Sequence, residues 1–181
     1  MKLLPTTMDG AWLIDLSELR DERGFFARTF CAEFLRRAGL EGTYPQHSMS
    51  ATVQRGTVRG LHFQNAPAAE VKIVRCLKGA IWDVMLDLRP RSPTFCRWEA
   101  FELSASNRRQ LYVPKGFAHG FQSLTDDVEV AYLISETYAP SAASGVRYDD
   151  PAFGISWPLP ITTMSLKDRS WPDLKPVKVK A

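Results

Sequence analysis

Two of the three histidines in this 181-residue chain stand in glycine-flanked segments. His62 lies in Gly56-Thr57-Val58-Arg59-Gly60-Leu61-His62-Phe63-Gln64, and His119 in Pro114-Lys115-Gly116-Phe117-Ala118-His119-Gly120-Phe121. An imidazole ordinarily titrates near pH ~6.5, so such a ring can shuttle a proton at neutral pH or bind a metal ion. Arg59 and His62 are three residues apart, which in a regular strand points them to opposite faces. Gly60 between them offers a bulge that could turn both into one cavity. The cysteines add no chemistry of their own. Cys31, Cys76 and Cys96 are odd in number, far apart and without a C-x-x-C spacing, which argues against a disulfide framework and a thiolate zinc site.

The elements that must hold these residues read as strands. Turn signals recur at short intervals between segments rich in Val, Ile, Leu, Trp, Tyr and Phe. Val71–Leu77 meets Lys78-Gly79 and resumes as Ala80–Leu88, a pattern that predicts a β-hairpin. Further strands are expected over 11–16, 57–64, 97–104, 109–114, 118–124 and 128–135, and many short strands with such spacing suggest a sandwich or barrel. Cys31–Gly39 has helical propensity and ends in a glycine stop, so a short surface helix is expected there. From Pro140 onward the chain holds half of its twelve prolines, which predicts loops and turns laid against the sheet. The last residues, about 175–181, read as a flexible tail.

Composition bounds the rest. With 45% hydrophobic and 24% charged residues, the chain has the balance of an ordinary globular protein, and its length predicts a single domain over 1–181. The net charge of +3 is spread along the sequence, which favours neither a nucleic-acid nor a membrane-surface partner. Pro5 breaks the N-terminal apolar run, and no stretch of ~18 apolar residues occurs, so neither a secretory signal nor a membrane span is expected and the cytoplasm is the expected location.

The segments around His62 and His119 resemble the paired motifs of the cupin superfamily, whose double-stranded β-helix takes metal ligands from a G-x5-H-x-H segment and a later P-x-G-x2-H segment. Pro114, Gly116 and His119 match the second, although Arg108 stands where a glycine should precede the proline. In the first, Gln64 occupies the second histidine's place, and Glu70 lies one or two positions later than the pattern's carboxylate. An amide is a poor ligand for a transition metal, and a stable catalytic metal normally takes three protein ligands. The expectation is therefore no metal and no cofactor, with the histidines serving as acid, base or substrate donors.

Further motifs narrow the resemblance. Asp21-Glu22-Arg23-Gly24-Phe25-Phe26, Arg59–Gln64, Lys72, Ser92-Pro93-Thr94-Phe95, Gly116–Phe121, Tyr132, Tyr138 and Ser165-Leu166-Lys167-Asp168 occur in register. Together they are similar to the dTDP-4-dehydrorhamnose 3,5-epimerase family, from about residue 10 to 172. The resemblance implies a mainly β, cupin-type jelly roll with a short N-terminal helix and a loop-rich C-terminal segment. It also implies a cofactor-free epimerase acting on a nucleoside-diphosphate 4-keto-6-deoxyhexose, usually as a homodimer; pairing exposed sheet edges across subunits would favour such a dimer.

Epimerising a carbon beside a ketone needs a base, a group to hold the enolate, and an acid on the opposite face. By resemblance, His62 is the base and Asp168 orients it. Tyr132 is the acid, since a phenol with an ordinary pKa of ~10 carries its proton at neutral pH. Lys72 stabilises the oxyanion, with His119 as a second donor. Arg23 and Arg59 match pyrophosphate clamps, and Gln46, Ser48 and Lys167 match substrate-binding positions. Tyr138 either stacks on the nucleotide base or closes a loop. Taken singly, His62 reads as a structural strand histidine, Tyr132 as core, Lys72 and Arg59 as solvated strand residues, and Asp168 as a turn or cap. Their joint occurrence is what favours catalysis.

The sequence departs from the family pattern where Arg28 and Ala143 replace glutamates, Ser48 replaces an asparagine and Leu133 replaces a common lysine. A changed nucleotide or sugar preference is one expectation from these positions, including a CDP- or GDP-linked sugar. An epimerase acting at C3 alone, a metal-dependent cupin enzyme and a non-catalytic sugar-nucleotide binding module are the other readings.

Overall fold

The computed structural model describes residues 1–174, so the expected flexible tail over 175–181 lies outside the described residues. Strands β1 (Lys2–Pro5), β2 (Trp12–Asp15), β10 (Gln110–Val113), β7 (Lys72–Lys78), β12 (Val128–Ile134) and β5 (Gln46–Thr52) form a six-stranded sheet in that order. A five-stranded sheet runs β13 (Ala143–Gly145), β6 (Val58–Gln64), β11 (Phe117–Ser123), β8 (Ala80–Asp87) and β9 (Trp98–Ser104). Strands β3 (Leu19–Asp21) and β4 (Gly24–Phe26) pair only with each other, as a separate ribbon. The helices are α1 (Ala32–Arg37) and the four-residue α2 (Leu166–Arg169). Among the described residues, no helix is long and apolar enough to cross a membrane.

From β5 to β8 and again from β9 to β13, each successive strand changes sheet, which is the winding of a jelly roll. This corrects the expected hairpin at Lys78-Gly79. Strand β7 pairs with β10 and β12, whereas β8 pairs with β11 and β9 in the other sheet. Both strands are flanked on both sides by other partners, so neither has an edge left for the other. Gly79, at φ 73°, marks a corner between sheets. An apolar, alternating segment followed by Lys-Gly looks the same whether the chain turns back or crosses over, and only distant strands decide which.

Strand parity sorts the side chains into layers. Val74 and Cys76 of β7, Ile81 and Met85 of β8, Phe117 and Phe121 of β11, and Val128 and Val130 of β12 fill the space between the sheets. On the outer side of the larger sheet, α1 lays Leu35 over Ile14, Ile73 and Tyr112. Gly39, at φ 73°, follows the helix as the stop expected there. The outer side of the smaller sheet, with Leu61, Val84, Leu86 and Ala118, is covered by Val146, Phe153 and Trp157 of the C-terminal segment. To the sheets, among the described residues, that segment contributes only the short edge strand β13, in keeping with its prolines, and it is stitched down by Trp98 Nε1 donating to the Phe153 carbonyl at 3.0 Å. The inward rows that carry the core also carry Lys72, Asp83, His119, Tyr132 and Ser50. Toward one end of the sandwich, then, apolar filling gives way to polar groups.

Candidate active site

A cleft of about 760 Å³ opens between the sheets at that end. His62, His119, Arg59 and Asp168 line one wall, from the side of the smaller sheet. Lys72, Tyr132, Gln46, Ser48 and Ser50 line the other, from the larger sheet. Tyr138, Lys167, Glu70 and Ala143 complete the rim.

The parity problem at Arg59 and His62 is resolved by a bulge. His62 faces His119 across the β6–β11 pair and Arg59 faces Phe121, so three steps on β6 match two on β11. Residues directly opposite in an antiparallel pair share a face, and both side chains are turned inward while Leu61 points to the outer layer. Gly60 carries φ 127°, and a Cβ there would lie 2.5 Å from the Gly120 Cα, so this close crossing requires glycine.

His62 Nε2 lies 2.6 Å from Asp168 Oδ1. Asp168 Oδ2 accepts from the Gly60 N–H at 3.3 Å, and the Asp168 N–H donates to Ser165 Oγ, which caps α2. The helix is held where Trp171 seats its indole on Gly145, leaving no room for a Cβ at that glycine; Gly145 in turn pairs with His62. Burial pushes the Asp168 carboxyl up, but the hydrogen bond and charge of His62, with the Gly60 and Ser165 hydrogen bonds, outweigh it and hold the group below its ordinary value. An ionised carboxylate only accepts, so Nε2 holds a proton toward Asp168, and in the neutral form of the ring the lone pair is on Nδ1. With 46% of its side chain exposed, His62 is open to a substrate while its orienting acid is buried.

His119 Nε2 meets Asp83 Oδ1 at 2.9 Å, and both side chains are buried. Among the described residues, Asp83 Oδ2 has no hydrogen-bond partner. Tyr132 stands edge-on to His119, with ring centroids 6.4 Å apart, and its hydroxyl lies 3.0 Å from Ser50 Oγ. Burial raises the phenol well above its ordinary value; Asp83 adds to this, while the Ser50 hydrogen bond and Arg59 oppose it. The phenol therefore keeps its proton across the working range. Lys72 Nζ pairs with Glu70 Oε1 at 3.0 Å and donates to the His62 carbonyl at 3.1 Å, which places an ammonium group next to the histidine.

Arg59 donates to Thr52 Oγ1 at 2.9 Å and to the Ala51 carbonyl at 2.7 Å, so its guanidinium is fixed against β5. Tyr138 is exposed at the mouth, where its N–H donates to Gln46 Oε1 at 3.0 Å. Lys167 lies with Nζ 5.5 Å from the Trp171 ring centroid. Of the residues expected in the site, Arg23 alone is outside the cleft of its own chain. It sits at the turn of the β3–β4 ribbon, bound to Asp21, because the ribbon pairs with neither sheet.

Gln64, in the place of the second cupin histidine, commits its amide to backbone. It donates to the Ala68 and Thr137 carbonyls at 2.9 and 3.3 Å and accepts from the Ala139 N–H at 2.6 Å. Among the described residues, no group of three or more His, Cys, Asp or Glu is placed to hold a metal ion. Sequence reasoning missed Asp83 and Ser50. Asp83 left a signal, since a lone acid at an inward position of an apolar strand requires a buried partner. Of the departures from the family pattern, Ser48 and Ala143 line the cleft, whereas Leu133 packs on the outer side with Ile73 and does not reach it.

A family model described as dTDP-4-dehydrorhamnose 3,5-epimerase matches residues 5–176. The chain is 42% identical over 177 residues to the dTDP-4-dehydrorhamnose 3,5-epimerase of Methanothermobacter thermautotrophicus, covering 96% of this chain and 95% of that one. The crystal structure of the Bacillus anthracis dTDP-4-dehydrorhamnose 3,5-epimerase, with TDP and PPi bound, superposes with a TM-score of 0.92 at 41% identity, covering 96% of this chain and 99% of the other. A 3'-monoepimerase from Streptomyces bikiniensis, in complex with dTDP-quinovose, superposes with a TM-score of 0.86 at 35% identity, covering 93% and 85%.

Proposed function

The chain belongs to the dTDP-4-dehydrorhamnose 3,5-epimerase family, and from that footing we propose that it inverts the carbons beside the ketone of a dTDP-linked 4-keto-6-deoxyhexose. The observation that carries the proposal is the placement of His62 and Tyr132 on opposite walls of one cleft, with Lys72 beside the histidine. A sugar ring between the walls presents one face to a base and the other to an acid, as inversion requires.

In this reading, the Nδ1 lone pair of His62 removes the proton next to the ketone, and Asp168 stabilises the imidazolium that forms. Negative charge gathers on the ketone oxygen, where Lys72 and His119 supply fixed donors in a partly closed site. Tyr132 returns a proton from the other face, and the stereocentre is inverted. The fixed guanidinium of Arg59 suits a diphosphate oxygen. Gln46, Ser48, Tyr138 and Lys167 lie where the nucleotide would extend.

The active unit in this proposal is a homodimer. Leu19 and Phe26 of the β3–β4 ribbon are 69% and 68% exposed, an unusual outlay of apolar surface on an element without a partner. Covered by a second copy, the ribbon would carry Arg23 to the neighbouring cleft and supply the second diphosphate clamp. Arg23→Ala should then raise the KM for the sugar nucleotide about tenfold, the loss expected of one charge-assisted hydrogen bond; an unchanged KM would remove Arg23 from the site.

The test is product stereochemistry by NMR with the dTDP-, CDP- and GDP-linked 4-keto-6-deoxyglucose compounds. Inversion at both C3 and C5, with dTDP preferred, is expected. Inversion at C3 alone would place the chain with the Streptomyces bikiniensis type of enzyme. Preference for CDP or GDP would assign the departures at Ser48 and Ala143 to nucleotide choice.

A further inference from the structure

We propose that Ser50 is a positioning residue for the acid: its hydroxyl aims the Tyr132 phenol into the cleft and donates to the phenolate oxygen left when that proton has been given to the enolate. The inference rests on the epimerase reading above and concerns which step Ser50 controls.

Ser50 and Tyr132 lie on neighbouring strands, with Ser50 opposite Val130 and Tyr132 opposite Ser48, and both side chains point between the sheets. Their oxygens are 3.0 Å apart, and among the described residues Ser50 supplies the only side-chain hydrogen bond to the phenol. The groups around that phenol are of mixed sign. Asp83 and Cys76 disfavour a phenolate, Arg59 favours it, and the His119 ring stands edge-on. A buried phenolate without a donor is costly. A serine hydroxyl solves this without moving a heavy atom: by donating to the phenol oxygen it leaves the phenol's own proton free to point into the cleft, and the same hydrogen bond holds the anion once that proton has left.

The step balances. The Tyr132 O–H bond breaks as a C–H bond forms from the enolate's electron pair, leaving a phenolate that takes the Ser50 hydrogen bond. Water at the open mouth then returns a proton to Tyr132 and removes the one held by His62, and nothing is oxidised or reduced. Loss of Ser50 should therefore slow delivery from the Tyr132 face while proton removal and return at the His62 face continue.

The experiment follows dTDP-4-keto-6-deoxyglucose in deuterium oxide by NMR, scoring deuterium wash-in and inversion separately for wild type, Ser50→Ala and Ser50→Thr. In Ser50→Ala, wash-in should stay within about twofold of wild type while inversion falls about 10- to 100-fold, the range for a hydrogen bond to a charged group. Ser50→Thr keeps the hydroxyl and should restore inversion. Affinity for dTDP alone should be equal in all three, as a check that the site is intact. Inversion at the wild-type rate in Ser50→Ala, or wash-in and inversion falling in the same proportion, would overturn the assignment. Wild-type protein that gives no wash-in would overturn the epimerase reading and this inference together.

Discussion

The cleft contains two histidine–carboxylate pairs built in opposite ways. His119 and Asp83 come from adjacent strands of one sheet and are 4% and 0% exposed, with one Asp83 oxygen unpartnered among the described residues. His62 and Asp168 join a bulged strand to a short helix 106 residues away; both carboxylate oxygens are engaged, and the imidazole is nearly half exposed. A ring locked in the sheet interior suits a fixed donor that steadies developing charge. A ring held from behind but open in front suits a group that must take a proton and pass it to water. The same two residue types thus become suited to different tasks through burial and hydrogen-bond partners.

The largest effect should come from cutting the open pair. Asp168→Asn places an amide beside Nε2, where its N–H group can reverse the tautomer, and kcat should fall about 10³- to 10⁴-fold in an NMR rate assay. Substitution in the buried pair should split differently. His119→Ala should lower kcat about 10²- to 10³-fold through loss of an oxyanion donor. It should also cost roughly 1–3 kcal/mol of stability, because a buried Asp83 oxygen loses its hydrogen-bond partner. His62→Ala should abolish activity yet lower the thermal midpoint less than His119→Ala does, since its ring is half exposed and Asp168 keeps the Gly60 hydrogen bond. Equal midpoint losses in the two histidine variants would erase the distinction between the pairs.

A smaller effect is expected at the bulge that lets His62 share a cavity with Arg59. Gly60→Ala forces a Cβ against Gly120 and should destabilise by about 1–3 kcal/mol, seen as a shift in the denaturation midpoint. The smallest is a pH dependence. The Asp168 carboxyl lies below its ordinary value when folded, so its contribution is fully present above the unfolded value of ~3.9 and is lost as pH falls through the lower folded one. The stability gap between wild type and Asp168→Asn should shrink as pH falls below about 4. A gap that widened below about pH 4 would mean that the carboxyl is raised, not lowered.

Much of this was legible in the sequence, for reasons that differ by residue. The bulge was legible because Gly60 sits between two residues whose parity conflicts, and the helix before Gly39 because its stop is local. The strands carrying His119, Lys72 and Tyr132 announced themselves through alternating apolar neighbours. Strand β5, reading Gln-His-Ser-Met-Ser-Ala-Thr, did not, since its inward row faces the cleft and is polar, and Ser50 was lost with it. Strands β1, β3 and β4 are too short or too exposed to show a pattern. The partners of β7 and β8 are not legible locally, because Lys78-Gly79 fits both a hairpin and a sheet-changing corner. Asp83 was passed over because one acid in a strand looks solvated until its parity is known. Arg23 was placed by family resemblance alone, and the strand pattern carried no sign that its ribbon stands apart from both sheets.

The most direct test of opposite-wall proton transfer is deuterium wash-in beside the ketone, measured alongside inversion, in His62→Ala and Tyr132→Phe. His62→Ala should show neither, whereas Tyr132→Phe should still exchange the proton but no longer invert the carbon. Wash-in at the wild-type rate in His62→Ala, or undiminished inversion in Tyr132→Phe, would contradict it.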